Sequence, residues 1–177
     1  MDSTTADGLD KAETAGASKT AGETVPSGRA PEIFTAPWAH SWCRELNSSD
    51  DYRAAAADWE GALALVMGAD PSLGIPDDRA LYLDLHHGTC RQARLAEGDD
   101  LAAAPYVLEA PAAVWRRVLA GTLDPLLGLM TAKIRLTRGS LAQLTPRVRA
   151  AQELVRSAAR LPATFPPGWE AGSPESA

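Results

Sequence analysis

The amino-acid sequence predicts an α+β domain in which helices cover one side of a mainly antiparallel sheet of about five strands. Residues 81–86 alternate between apolar and polar side chains, a period of two that is typical of strands. Residues 148–159 carry apolar side chains at helical spacing. Candidate helices begin and end the domain, and most candidate strands lie between them, which is the order expected of an α+β fold.

The folded domain is predicted to span residues 33–165 of the 177-residue chain, which is long enough to bury a core. Residues 1–30 contain almost no large apolar side chains, so they cannot bury enough surface to offset their ordering entropy. Residues 166–177 have a similar composition. We therefore expect a disordered N-terminal tail, one domain and a flexible C-terminal tail.

The first part of the domain is predicted to form two helices and a strand. Residues 37–46 favour a short helix, and residues 47–50 offer a capping signal for a second helix over residues 52–57. Residues 59–67 are almost entirely apolar and are followed by a glycine, which favours a strand.

The strand over residues 81–86 is predicted to form a hairpin with residues 90–95, because Gly88 suits a tight turn. A three-residue turn keeps the apolar side chains together on one face. The resulting register pairs His86 with Cys90, Leu83 with Ala93, and Leu81 with Leu95.

The second part of the domain contains four further segments. A strand over residues 106–110 is followed by a helix over residues 111–120, with Pro111 in its first position. Asp124 and Pro125 then begin an apolar helix that extends to residue 130. Residues 133–138 alternate as a last strand, and Ser140 or Thr145 can cap the next helix. The final helix has one apolar stripe, formed by Val148, Ala151, Gln152, Val155, Ala158 and Ala159.

Charge is distributed unevenly along the chain, whose net charge is −6. Residues 115–161 contain nine basic and two acidic side chains, whereas the rest of the chain is acidic. The acidic total argues against nonspecific binding of nucleic acid. The basic segment predicts either a solvated helix face or a face that approaches an anionic membrane or an acyl thioester headgroup.

The sequence predicts a cytoplasmic location. It contains no apolar run of roughly 18 residues, and its first residues lack the basic and apolar regions of a secretory signal. The two cysteines, Cys43 and Cys90, are therefore expected to be reduced thiols.

Histidine and cysteine recur in the spacing H-x-x-C, at His40/Cys43 and at His87/Cys90. The four side chains have the types and number of a zinc site. Nothing in the sequence, however, brings the first helix to the hairpin tip. His86 and His87, as neighbours on a strand, should point to opposite faces. We therefore predict no metal and no cofactor.

Enzymatic activity is not expected either. Cys90 with His86 as its base is a weak arrangement, because only Arg91 is positioned to lower the pKa of the thiol. Cys43 is most simply a small core residue. The chain contains no G-x-G-x-x-G, P-loop or G-x-S-x-G motif.

Residues 106–141, YVLEAPAAVWRRVLAGTLDPLLGLMTAKIRLTRGSL, resemble the sterol carrier protein type 2 family of lipid-binding domains. With the hairpin and the strand before it, the resemblance extends over roughly residues 33–161. Ala132 stands where the family has a glycine, so a left-handed conformation there would be strained. Ser140 replaces an aspartate but can cap the same turn. The positions that match in order are Gly121, Leu123, Asp124, Pro125, Met130, Lys133, Ile134, Leu136, Gly139 and Leu141.

The resemblance implies a small domain that encloses an apolar tunnel and carries sterols, fatty acids, acyl thioesters or phospholipids without a covalent bond. Each apolar side chain in this region could equally fill an ordinary core. The alternative function is a non-catalytic interaction or regulatory module whose tunnel is closed and which is tethered through residues 1–30. The tunnel candidates are Leu119, Leu123, Leu126, Leu127, Met130, Ile134, Leu136, Leu141, Leu144 and Val148.

Overall fold

The structure is a computed structural model that describes residues 29–166. The predictions for the two tails, residues 1–30 and 166–177, therefore fall almost entirely outside the described residues. None of the helices within residues 29–166 combines the length and apolar character that crossing a bilayer requires.

A five-stranded sheet forms the centre of the fold, with the strand order β3-β2-β1-β4-β5. All neighbouring strands are antiparallel except β1 and β4, which are parallel. The predicted α+β class and mainly antiparallel sheet are confirmed. The strands are β1 (Glu60–Gly68), β2 (Arg79–His86), β3 (Thr89–Leu95), β4 (Tyr106–Pro111) and β5 (Arg135–Arg138).

Seven α-helices accompany the sheet within the described residues. The sequence predicted the long helices but missed α3 and a 3-10 turn at Pro71–Leu73. Asp124 caps α5 through the main-chain N–H groups of Leu126 and Leu127. The helices are α1 (Ala36–Ser48), α2 (Asp50–Ala55), α3 (Asp100–Ala103), α4 (Ala112–Leu119), α5 (Pro125–Met130), α6 (Leu141–Leu144) and α7 (Val148–Arg160).

Three local predictions need correction. Pro111 ends β4 and precedes the first turn of α4, because its extended backbone continues the strand. The last strand begins at Arg135 rather than at residue 133. Ser140 caps α6 by accepting from the Gln143 N–H, whereas the Thr145 hydroxyl donates back to the Leu141 carbonyl and so does not cap a helix.

The main core lies between one face of the sheet and the helices. Leu81, Leu83 and Leu85 are fully buried on this face, and Leu63 and Leu65 of β1 continue it. The opposite face carries only a small apolar cluster, which includes Ala62 and Ala64. Period-two alternation therefore separates the helix-covered face from the outer face, as the sequence predicted.

The register of the β2–β3 hairpin is confirmed in its body and wrong at its tip. Leu81 lies opposite Leu95 and Leu83 opposite Ala93. The turn, however, has two residues rather than three, because His87 and Gly88 both adopt positive φ, as a tight primed turn requires. The register shifts after Asp84, so that the pairs at the tip are Leu85 with Cys90 and His86 with Thr89.

Helix α1 is joined to strand β3 by a disulfide bond between Cys43 and Cys90, whose Cα atoms lie 5.4 Å apart. The amide of Asn47 accepts from the main-chain N–H of Cys90 and donates to its carbonyl, both at 2.8 Å. The prediction of two reduced thiols is therefore wrong. The two cysteines meet because α1 packs across β3, and no local pattern of the sequence indicates this packing.

Breaking this disulfide should destabilise the domain. The bond joins residues 47 positions apart, and closing a loop of that length removes entropy from the unfolded chain. We expect a reductant, or the double variant Cys43→Ser/Cys90→Ser, to lower the free energy of unfolding by about 2–4 kcal/mol in urea titrations.

The double variant measured with and without reductant is the control and should show no change between the two conditions. Two titratable thiols in the native protein under non-reducing conditions would contradict the bond.

Candidate functional site

An apolar cavity of about 80 Å³ lies between the helix-covered face of the sheet and helices α1, α4, α5 and α7. Twenty residues line it, and Gln152 is the only one among them with a polar side chain. Strands β1 and β4 contribute Leu63, Leu65 and Leu108 to the wall. A wall of this composition can exclude water around an apolar molecule but offers almost no group that could take part in bond-making chemistry.

Four indole rings form the rigid part of the cavity wall. The sequence analysis placed Trp38 and Trp42 within the predicted helix over residues 37–46 and did not connect the tryptophans with a site. The available signal was that four of the five tryptophans of the chain fall within the predicted domain. Three rings are fixed by hydrogen bonds from Nε1: Trp42 donates to the Leu154 carbonyl (3.1 Å), Trp59 to Gly61 (3.0 Å) and Trp115 to Val66 (2.9 Å).

The indole of Trp38 differs from the other three. Its ring is buried and lines the cavity, but within residues 29–166 its Nε1–H has no hydrogen-bond partner. A buried donor without an acceptor costs about 1–3 kcal/mol. An oxygen atom that reached this N–H would remove the penalty.

The structure places half of the predicted tunnel residues on the cavity wall and half elsewhere. Leu123 is buried in the main core, and Leu136 packs against that core from β5. Leu127, Met130 and Leu141 are exposed. Contact of any of them with a ligand remains a prediction. Those on the wall are Leu119, Leu126, Ile134, Leu144 and Val148.

Helix α5 is apolar on every side although one side faces water. Leu126 and Leu129 line the cavity, whereas the side chains of Leu127 and Met130 are 52% and 69% exposed. A helix that is hydrophobic all round is normally buried. The exposed side of α5 is therefore an unusual surface, and Lys133 follows it closely in the chain.

Ala132 connects α5 to the last strand in a left-handed conformation, with φ of 54°. This is the position at which the sequence lacks the glycine of the resembling family, so the expected strain is present in the structure. Left-handed backbone costs a residue with a Cβ roughly 1–2 kcal/mol.

The histidines and cysteines form neither of the two sites considered from the sequence, a zinc site and a thiol nucleophile. Cys43 and Cys90 meet as a disulfide, which leaves neither a zinc thiolate nor a nucleophile. In the part of the chain that the structure describes, His40 joins no group of metal-ligand side chains. The expectation that His86 and His87 face opposite ways is wrong, because the left-handed turn at His87 brings the two ring centroids to 4.2 Å.

The sheet, its helical cover and the apolar cavity between them define an α+β domain with an internal apolar site. No family model and no curated protein matches the chain. Among solved structures, it is similar to a crystal structure of sterol carrier protein 2, with 48% identity over 73% of this chain and 99% of that one, at a TM-score of 0.68. The chain belongs to the sterol carrier protein 2 family.

A second solved structure supports the assignment. The solution structure of the conserved hypothetical protein TT1886 from Thermus thermophilus is 45% identical, covers 77% of this chain and 94% of its own, and superposes with a TM-score of 0.69. Both relatives are matched over nearly their whole length, so the similarity concerns the entire domain.

Replacing Ala132 by glycine should stabilise the domain. Glycine relieves the left-handed strain but adds entropy to the unfolded chain, so the net gain in the free energy of unfolding should be about 1 kcal/mol. Thermal or urea unfolding measures it.

Ala120→Gly is the matched control, because Ala120 is also exposed but has a φ of −77°. It should be neutral or destabilising. Equal effects of both substitutions would show that Ala132 is not strained.

Proposed function

We propose that this protein binds a lipid noncovalently in the cavity beneath its helices and carries it through water between membranes. The observation that supports this function is the wall itself, in which nineteen of twenty residues are apolar. The ligand classes whose apolar part suits this wall are sterols, fatty acids, acyl thioesters and phospholipids. No pair of groups on the wall is suited to acid–base or nucleophilic chemistry, and we infer a carrier without catalytic activity.

Ligand binding requires the cavity to expand. Its volume of about 80 Å³ is well below the roughly 300–1,000 Å³ of pockets that hold such ligands. Burying about 300 Å² of apolar ligand surface would contribute about 7 kcal/mol before the costs of association are subtracted. The free energy gained by burying the ligand can offset the cost of separating the elements that pack together when no lipid is bound.

We infer that α5 is the element that moves. It is six residues long and lies between the cavity and water, with Leu126 and Leu129 on the inner side. The opposite wall is fixed by β-sheet hydrogen bonds and by the anchored indoles of Trp59 and Trp115. Displacing the short helix therefore disturbs fewer interactions than displacing the sheet.

Trp38 favours a lipid with an acceptor oxygen at one end. Its indole N–H is a buried donor on the cavity wall that has no partner among the described residues. A hydroxyl, carbonyl or carboxylate oxygen of the ligand would accept from it, while the hydrocarbon part occupies the apolar space. An amphiphilic lipid satisfies the wall better than a pure hydrocarbon does.

We further infer that α5 makes the contact with membranes. Leu127 and Met130 present exposed apolar side chains, and Lys133 lies next to them in the basic segment. Apolar side chains can insert between headgroups while a cation near the surface interacts with anionic lipid. The same helix would then open the cavity where the lipid enters or leaves.

The cytoplasmic location stays a proposal. The Cys43–Cys90 disulfide weighs against it, because such bonds persist mainly in oxidising compartments. Alkylation of thiols in intact cells, followed by mass analysis of the protein, distinguishes the two locations.

Leu126→Arg should abolish binding of a fluorescent fatty acid, because it places a charge on the apolar wall. Leu127→Arg is the matched control, with the same substitution at the next residue, whose side chain faces water. Fluorescence titration with purified, delipidated protein should show at least a tenfold loss of affinity for the first variant only.

Native mass spectrometry of the purified protein provides an independent check. If no lipid co-purifies and neither a fatty acid nor a sterol probe binds, the carrier function is refuted. If Leu127→Arg is as damaging as Leu126→Arg, the cavity is not the binding site.

The double variant Leu127→Ser/Met130→Ser should slow lipid transfer between vesicles containing phosphatidylglycerol but leave the affinity in solution unchanged. Both side chains are exposed, so their contribution arises only at a membrane. A stopped-flow transfer assay between donor and acceptor vesicles measures the rate.

Leu101→Ser is the control, because Leu101 is an exposed leucine on α3, away from the cavity. A transfer rate that is insensitive to the α5 substitutions, or equally sensitive to Leu101→Ser, would rule out α5 as the membrane contact.

A further inference from the structure

The tip of the β2–β3 hairpin brings three metal-ligand side chains together on the outer face of the sheet. Glu60 begins β1 and lies directly opposite His86, the last residue of β2. Residues paired in this way project their side chains from the same face of the sheet. His87 follows in a left-handed conformation, and its ring lies 4.2 Å from that of His86 between centroids.

The ligand atoms of the three residues are nearly close enough to share one ion. One nitrogen from each histidine and one carboxylate oxygen of Glu60 all lie within 4.8 Å of one another. Ligands of a tetrahedral zinc ion, at about 2.1 Å from the metal, are about 3.4 Å apart. Glu60 and His87 are exposed, so small side-chain rotations can close the difference. Within residues 29–166, no other group of three such side chains meets this distance.

The imidazole of His87 keeps one nitrogen available to a metal. Its Nδ1–H donates to the carbonyl of Ala57 at 2.7 Å, which leaves the lone pair of Nε2 free. Histidines that bind metals usually donate their second ring N–H to a carbonyl or carboxylate, which fixes the tautomer and the direction of the ring. The main chain of His87 is held as well, by donation to the Trp59 carbonyl at 2.7 Å.

The other two ligand groups are not engaged elsewhere. The carboxylate of Glu60 and the imidazole of His86 have neither a hydrogen bond nor an ion pair with another residue of the described part of the chain. The nearby carboxylate of Asp84 instead faces Arg91 at 4.0 Å. A cation at the hairpin tip would therefore gain three ligands without breaking an existing interaction.

The backbone at His87 places its imidazole beside that of His86. The φ of 46° is the conformation that the two-residue turn requires, and histidine is one of the few residues with a side chain that are enriched in it. Glycine or asparagine would form the same turn with less strain. Only a histidine, however, places a second imidazole beside His86.

We propose that Glu60, His86 and His87 bind one divalent transition-metal ion, with Zn²⁺ as the ion of best fit. Two imidazoles and one carboxylate suit Zn²⁺, Ni²⁺, Co²⁺ or Cu²⁺, whereas Mg²⁺ and Ca²⁺ prefer oxygen ligands. Three protein ligands leave at least one coordination position for water. The site lies on the outer face of the sheet and is separate from the cavity beneath the helices.

The test is isothermal titration of the full, tag-free chain with Zn²⁺. We expect saturable binding of one ion per chain at micromolar concentrations, with no binding of Mg²⁺. Glu60→Gln, His86→Gln and His87→Asn should each weaken Zn²⁺ binding at least tenfold. Asparagine is chosen at position 87 because it tolerates the left-handed conformation.

His40→Asn is the matched control, because His40 is the one histidine of the chain outside the proposed site and lies exposed on α1. It should bind Zn²⁺ as the unmodified protein does. Circular dichroism establishes that each variant is folded, and the absorption of bound Co²⁺ in the visible region reports directly on imidazole coordination.

Several results would overturn the site. These are the absence of saturable Zn²⁺ binding, retention of full affinity in Glu60→Gln and His87→Asn, or an equal loss in His40→Asn. The fatty-acid titration should be unaffected by all three site variants, so failure of the metal site and failure of the lipid carrier are distinguishable.

Discussion

The fold depends on covering one face of strands β1 and β2. Leu63 and Leu65, together with the buried leucines of β2, present a continuous apolar surface that water would otherwise contact. Helix α1 packs across β3 and is joined to this edge strand by the disulfide between Cys43 and Cys90, and α7 lines the cavity together with Leu63 and Leu65. The remaining helices complete the cover of this face. They pack around indole rings, which are too rigid to fill all the space between the helices and the sheet.

The cavity is a consequence of that incomplete cover. Indole rings have few rotamers, and those of Trp42, Trp59 and Trp115 are additionally fixed by hydrogen bonds to main-chain carbonyls. They cannot turn inward to occupy the gap. The opposite wall consists of leucines and small residues on α5 and α7, which repack more easily. A rigid wall facing an adaptable one allows the volume of the cavity to change while the sheet keeps its position.

Much of the fold was predictable because its strands and long helices have regular sequence patterns. Alternation in residues 81–86 gave both the strand and the register of its body. The register of the tip was not predicted because it depends on positive φ at both His87 and Gly88, and a histidine adopts this conformation less often than a glycine does. The disulfide escaped for a similar reason, since it depends on how α1 crosses β3 and not on local spacing.

The cavity was less predictable than the fold. Leu126 and Leu127 are chemically identical neighbours, yet one lines the cavity and the other faces water. In a helix that is apolar on every side, no period indicates which side is inner. Five of the six residues of the stripe predicted on α7 line the cavity, but the stripe omitted Leu154, which lines it as well. The four tryptophans were the stronger signal, since large rings packed together leave irregular space.

The alternation of side chains along β1 has an evolutionary consequence. Odd-numbered positions such as Leu63 face the cavity, and even-numbered positions such as Glu60 and Ala62 face the outer surface. A substitution at either set leaves the other face almost untouched, because the two are separated by one layer of backbone. Selection can therefore change the shape of the cavity and the side chains of the outer surface independently, within a single strand of nine residues.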